Sequence, residues 1–113
     1  MIKIVHAYPD LLNLYGDYAN VKLLEKRLEG CGEQIQVRSF SLGNYIDISD
    51  ADLLYFGAGT EGGMLHALED FRRYRGELER MLASGGRILA TGSAMALLCR
   101  SVTDTRDGRT WCR

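Results

Sequence analysis

The sequence predicts an α/β protein built on a parallel sheet. Short apolar, β-branched runs alternate with stretches in which apolar residues recur every three or four positions, in the order strand, helix, strand, strand, helix, strand, helix. Two of the strands lead into glycine-bearing turns, at Gly57 and at Gly92. Because parallel strands end at one edge of the sheet, we expect both turns to face one crevice.

The composition excludes several classes of protein. The 113 residues carry 14 basic and 15 acidic side chains, for a formal net charge of -1, which gives no reason to expect nucleic acid as a partner. No apolar run approaches the roughly 20 residues of a membrane span, and the first residues do not form a signal peptide. The three cysteines are too scattered for a metal site. We expect one cytoplasmic domain over residues 1–113, without a metal ion or cofactor.

The first strand is predicted at residues 2–8, an apolar run that ends before a proline. His6 within it is expected to be a core or sheet-end residue, since no partner for catalysis is in view. A helix is predicted from about residue 18 to residue 29. Asp17 is the candidate for its amino-terminal cap and Gly30 for its left-handed carboxyl-terminal cap.

The remaining elements follow from their periodicity. Residues 34–40 alternate polar and apolar side chains, as an edge strand does, whereas residues 53–56 are wholly apolar and therefore central. Residues 64–82 have helical spacing, in one long helix or two abutting ones. Residues 85–99 predict a turn, a short buried strand, a small-residue bend and the first turns of a helix. We expect residues 103–109 to form a hairpin or a frayed tail.

The strand-to-helix elbow at Gly92 is the first candidate site, because helix amide groups point into the crevice at such a junction. The Gly-x-Ser-x-Gly pattern of a nucleophile elbow fails around Ser93, and an elbow centred on Gly92 carries no nucleophile. For these residues alone, a tight junction with a packing role is the simpler interpretation.

The second candidate is the stretch Gly57-Ala58-Gly59-Thr60-Glu61-Gly62, which has the glycine spacing of a dinucleotide-binding loop. Such loops follow the first strand of their unit and need an acidic residue after the next strand, and neither condition is met. A binder of phosphate or nucleotide is therefore the weaker hypothesis. Glycines without Cβ atoms still allow several N–H groups to converge on one anion or oxyanion. Thr60 and Glu61 are placed to contact a ligand there.

The stretch Tyr8-Pro9-Asp10-Leu11-Leu12-Asn13-Leu14-Tyr15-Gly16-Asp17, with Asn20 following, resembles the opening of the cobyric acid synthase-like class I glutamine amidotransferases. Within that family it is most similar to the glutaminase subunits of lipid II isoglutaminyl synthases. The spacing to residues 56–61 and 88–98 is similar as well. The resemblance covers the whole chain and about the first half of the family's domain.

This resemblance implies a flavodoxin-like parallel sheet with helices on both faces, truncated here. In the family, an elbow cysteine attacks the glutamine amide to form a glutamyl thioester, and ammonia passes to an ATP-dependent, Mur-ligase-like synthetase, for lipid II amidation in peptidoglycan or a cobyric acid type of reaction. Acyl transfer of this kind needs a nucleophile and donors for an oxyanion. The resemblance places Gly57, Ala58 and Gly59 in the oxyanion hole, with the Ser93 N–H as second donor.

The chain departs from the family at the catalytic positions. Gly92 stands where the family has its nucleophilic cysteine, and Cys99 is about two helical turns further on. The family's histidine and its acidic partner come later than Arg113. We therefore expect a domain that does not hydrolyse glutamine. The alternative is a non-catalytic scaffold, or pseudoenzyme subunit, that binds the synthetase through a loop containing Tyr15 and Asp17.

The length of the chain carries a further expectation. The sequence ends where the family continues with another strand, which would leave a sheet edge or face uncovered. We expect either a fragment of a longer protein or, if this length is natural, a half-domain that associates with a second copy.

Overall fold

The computed structural model describes residues 1–13, 17–98, 101–103 and 110–112 of the chain. Its elements are β1 (Ile2–Ala7), α1 (Asp17–Gly30), β2 (Ile35–Phe40), β3 (Leu53–Phe56), α2 (Glu61–Phe71), α3 (Arg75–Ala83), β4 (Arg87–Ala90), β5 (Ser101–Thr103) and β6 (Thr110–Cys112). The main sheet is wholly parallel and has the order β2-β1-β3-β4. The predicted α/β class and parallel sheet are confirmed.

Helices cover both faces of this sheet. Successive residues of a strand point to opposite faces, and each face of the sheet buries apolar side chains against a helix. Ile4 of β1 and Tyr55 of β3 form a buried cluster with Val21 of α1. Leu54, one residue earlier in β3, belongs instead to the larger cluster that contains Leu68 of α2. Full burial of each such side chain contributes about 1.5–3 kcal/mol relative to exposure, so the two layers together hold the strands in register.

The burial and order of the strands confirm the predictions for β2 and β3 and contradict the prediction for β4. β2 is an edge strand and β3 is central, as predicted. β4 was predicted to be buried, but Leu89 is 46% exposed and Arg87 is exposed as well. Within the described sheet β4 has only β3 as a neighbour, so fewer residues cover it than cover β3.

Left-handed glycines end two of the helices. Gly32, with a φ of 87°, takes this conformation at the end of α1, and its N–H donates to the Glu29 carbonyl at 2.9 Å. The prediction that Gly30 would be this residue is wrong, because α1 continues through Gly30. Gly85, with a φ of 91°, ends α3 where a helix end was predicted.

The remaining predicted helices are shorter or of another type in the structure. The long apolar stretch forms the two helices α2 and α3, joined by a 3-10 turn at Arg72–Tyr74. The segment after the elbow, Gly92–Leu98, is a 3-10 helix and not the predicted α-helix. β5 and β6 pair antiparallel, as the hairpin alternative requires; residues 104–109 between them lie outside the described residues.

A bridging carboxylate connects the two neighbouring strands β1 and β2 to the turn before β3. Asp50 accepts from Lys3 Nζ and from Arg38 Nη2, both at 2.9 Å. These two hydrogen bonds hold the pKa of Asp50 below its ordinary value. Because the side chain of Asp50 is about half exposed, water screens the attraction and its contribution is modest.

We predict that Asp50→Asn lowers the Tm near pH 7 and loses this effect in acid. A carboxyl whose folded pKa is depressed stabilises the fold above its unfolded pKa of about 4, and this stabilisation disappears as the pH falls through the folded value. The measurement is the Tm of both proteins across that range by circular dichroism. Glu79→Gln, which removes an ion pair exposed on both sides, is the control and should change the Tm little. A Tm difference that stays constant with pH would contradict the role given to Asp50.

Candidate functional site

The two glycine-bearing turns meet at one edge of the sheet, as the sequence predicted. Phe56 at the end of β3 pairs with Ala90 at the end of β4, and the Thr91 N–H donates to the Phe56 carbonyl at 3.0 Å. The chain then leaves both strands side by side, which brings Ala58 against Gly92. A Cβ atom at Gly92 would lie 2.9 Å from the Cβ of Ala58.

Gly92 has the backbone of a sharp elbow. Its φ of 57° lies in the left-handed region, which residues with a side chain enter uncommonly. Two residues later, the Ala94 N–H donates to the Thr91 carbonyl at 3.2 Å and starts the 3-10 segment. The position of the elbow therefore agrees with the sequence. The side chain of Ser93 and the whole of Cys99 lie outside the described residues.

The residues assigned to the oxyanion hole, Gly57, Ala58 and Gly59, are all buried. The two residues assigned to ligand contact come next and are exposed at the start of α2. Thr60 is the amino-terminal cap, since its Oγ1 accepts from the Gly63 N–H at 3.1 Å. Glu61 lies in the first turn, where a carboxylate is favourable to the helix dipole. Both side chains therefore have a structural use at this helix start.

A loop formed by residues 8–13, here called the motif loop, packs directly on the glycines. A Cβ atom at Gly59 would lie 2.6 Å from the Leu11 carbonyl oxygen and 2.7 Å from a methyl group of Leu12. The two segments border an open cavity of about 340 Å³, lined by Asp10, Leu11, Asn13, Thr60 and Gly63. The sequence relates the two motifs by their spacing and does not indicate that they are in contact. The length of the first motif and its spacing to residues 56–61 were the signals in the sequence that could have indicated this contact.

The residues assigned to partner binding are described in part. Tyr15 lies outside the described residues, and Asp17 is described only as the first residue of α1. An acceptor at this helix start comes from Asn13, whose Oδ1 accepts from the Tyr18 N–H at 2.9 Å. The motif loop is thereby joined to the first turn of α1.

A buried tyrosine anchors the motif loop to the core. Tyr8 has a φ of 50° and no exposed surface, and its hydroxyl donates to Asp70 Oδ2 at 2.7 Å. Burial, followed by this bond, raises the pKa of the Tyr8 hydroxyl far above its ordinary value, so it stays protonated and donates. Asp70 also accepts from Arg73 at 3.0 Å, and Arg73 donates to the carbonyls of Ser41 and Asn44.

His6 lies in the core, as the sequence predicted. It is 2% exposed, and its ring centroid is 5.4 Å from that of Tyr55 in an edge-to-face contact. The ring of Tyr18 of α1 stacks on His6 at a centroid distance of 6.3 Å. These contacts give His6 a packing role on the face of the sheet that α1 covers.

Two kinds of site are absent from the part of the chain that the structure describes. No three side chains of His, Cys, Asp or Glu come together there as a metal site requires. No helix among those residues combines the length and apolar character needed to span a bilayer.

Comparison with known proteins gives two matches. The model of the CobB/CobQ-like glutamine amidotransferase domain family matches residues 3–110. The chain is also similar to a protein of Streptococcus pneumoniae (strain ATCC BAA-255 / R6), the lipid II isoglutaminyl synthase (glutamine-hydrolyzing) subunit GatD. The two are 27% identical over 97 residues, which is 86% of this chain and 37% of that protein. The chain therefore spans well under half the length of this relative.

We predict that Tyr8→Phe lowers the free energy of unfolding by about 1–3 kcal/mol, because a buried hydrogen bond to a carboxylate is lost while the ring stays packed. Urea unfolding at neutral pH measures the change. Tyr18→Phe is the matched control, since the side chain of Tyr18 is 50% exposed. Equal stabilities of the Tyr8→Phe variant and the unaltered protein would show that this bond does not anchor the motif loop.

Proposed function

Because the chain belongs to the family of CobB/CobQ-like glutamine amidotransferase domains, we propose that its elbow and glycine turn form a glutamine site that makes no glutamyl thioester. One observation carries this proposal. Gly92 occupies the elbow, with the left-handed backbone of that position, and has no side chain. Without a nucleophile at this point the glutamine amide is held and not cleaved.

The chemistry of binding follows from the backbone of the two turns. The N–H groups of residues 57–59 and of Ser93 are the proposed donors to the carboxamide oxygen. Thr60 caps the amino terminus of α2 and lines the cavity that the motif loop borders, and Glu61 is the next residue; both are proposed to contact the rest of the ligand. Support comes from the packing of Ala58 against Gly92, which brings the glycine turn and the elbow side by side.

The partner is proposed from the relative and from the anchoring of the motif loop. The printed name of the S. pneumoniae protein makes it a subunit of a lipid II isoglutaminyl synthase. We propose that this chain binds an ATP-dependent, Mur-ligase-like synthetase of peptidoglycan lipid II amidation, through the segment that contains Tyr15 and Asp17. The motif loop directly precedes that segment in the chain and itself contacts Gly59, which supports this assignment.

We predict that the protein releases no ammonia from L-glutamine but gains thermal stability from it. A ligand that binds the folded state alone raises the Tm, and L-asparagine, one methylene shorter, should raise it less. Gly59→Ala should remove the shift, because its Cβ atom would displace the Leu11 carbonyl, whereas Gly43→Ala has open space and should retain it.

Ammonia is measured with a coupled dehydrogenase assay and the Tm by fluorimetry. Steady ammonia release that Gly59→Ala abolishes would contradict the proposed inactivity. A Tm that rises with ADP or inorganic phosphate, and not with glutamine, would favour the nucleotide hypothesis instead.

We predict that an ATP-using ligase co-purifies with the tagged protein from its source cells. Tyr15→Ala or Asp17→Ala should remove the ligase from the eluate, as judged by mass spectrometry. Glu29→Ala, near the opposite end of α1, is the control and should retain it. A ligase that stays bound to the Tyr15→Ala and Asp17→Ala variants would rule out this segment as the contact, and the absence of any ligase would contradict the scaffold function.

A further inference from the structure

The elbow and the glycine turn are fitted to one another at a single contact. A Cβ atom at Gly92 would lie 2.9 Å from the Cβ of Ala58. Among the described residues, apart from those adjacent to Gly92 in the chain, the next nearest atom is the Ala58 Cα, at 4.0 Å. Carbon atoms that are not bonded pack at about 3.5–4.0 Å. The Ala58 methyl is therefore the one described group that fills the space beside Gly92.

This methyl group has no means of moving aside. An alanine Cβ is fixed by its own backbone, in contrast to the end of a long side chain, which turns to another rotamer. Ala58 is 4% exposed and lies two residues after the end of β3, so it is enclosed by its neighbours. A side chain at residue 92 thus requires the turn itself to shift.

We propose that Ala58 closes the nucleophile position, so that this fold accepts only glycine at residue 92. The proposal rests on the proposed function, which identifies residue 92 as that position. The elbow then lacks both a sulfur atom and the room for one. A Gly92→Cys change by itself would distort the turn that is proposed to hold the oxyanion, and Ala58→Gly is needed beside it to restore the space.

The steric effect is separable from the cost of the left-handed backbone. Gly85 also has a positive φ, of 91°, but a Cβ atom there would meet nothing within 4 Å. Gly85→Ala therefore reports the backbone cost alone. Gly92→Ala reports a backbone cost at a φ of 57°, which side chains tolerate better, together with the collision with Ala58.

The test is a double-mutant cycle on thermal unfolding. The Tm is measured for the unaltered protein, Gly92→Ala, Ala58→Gly and the double variant, and Ala58→Gly is also combined with Gly85→Ala. We expect Ala58→Gly to recover most of the Tm lost in Gly92→Ala and none of that lost in Gly85→Ala, because only the first pair is in contact.

Additive Tm changes in both pairs would overturn the proposal. If Gly92→Ala does not fold, recovery of a cooperative transition by Ala58→Gly supports the proposal and failure to recover it counts against it. The cycle contains no glutamine, so its outcome is independent of the ammonia and ligand measurements. A coupled pair without a glutamine effect would leave the steric closure intact and refute the proposed function alone.

Discussion

The contact between the Leu11 carbonyl and Gly59 is the constraint on which the edge formed by the carboxyl ends of the strands depends. A Cβ atom at residue 59 would lie 2.6 Å from that oxygen, so the motif loop and the glycine turn approach each other too closely for a side chain at residue 59. The glycine turn also packs against the elbow, where Ala58 contacts Gly92. The motif loop, the glycine turn and the elbow therefore pack against one another at this edge, although they are distant in sequence.

Hydrogen bonds of buried and half-buried side chains connect the motif loop to α2. The buried hydroxyl of Tyr8 reaches Asp70 on α2, and Arg73 connects the same carboxylate to two carbonyls of the chain between β2 and β3. A tyrosine with a positive φ is uncommon, and here the bond to Asp70 and complete burial hold it in place. The motif loop is therefore anchored to the core through its first residue.

Glycines at this edge are needed for packing whether or not the domain does chemistry. Gly59 makes room for the motif loop, and Gly92 turns the chain from β4 into the 3-10 segment with Ala58 beside it. A glycine-rich signature is thus compatible with catalysis, with binding alone and with a scaffold. Gly92 itself contributes no side-chain atom to this edge of the sheet.

The sequence by itself determined the α/β class, the central position of β3, the core placement of His6 and the elbow at Gly92, because these follow from local periodicity and from glycine chemistry. The motif of residues 8–17 also identified the family that the comparison bears out. Only the tertiary structure decided that the left-handed residue after α1 is Gly32 and not Gly30, that β4 has one neighbour in the described sheet, and that the helix after the elbow is 3-10. It alone brought the Leu11 carbonyl to Gly59 and the Ala58 methyl to Gly92. Such contacts join residues far apart in the chain, and their distances arise from the packing of the sheet, which no local pattern encodes.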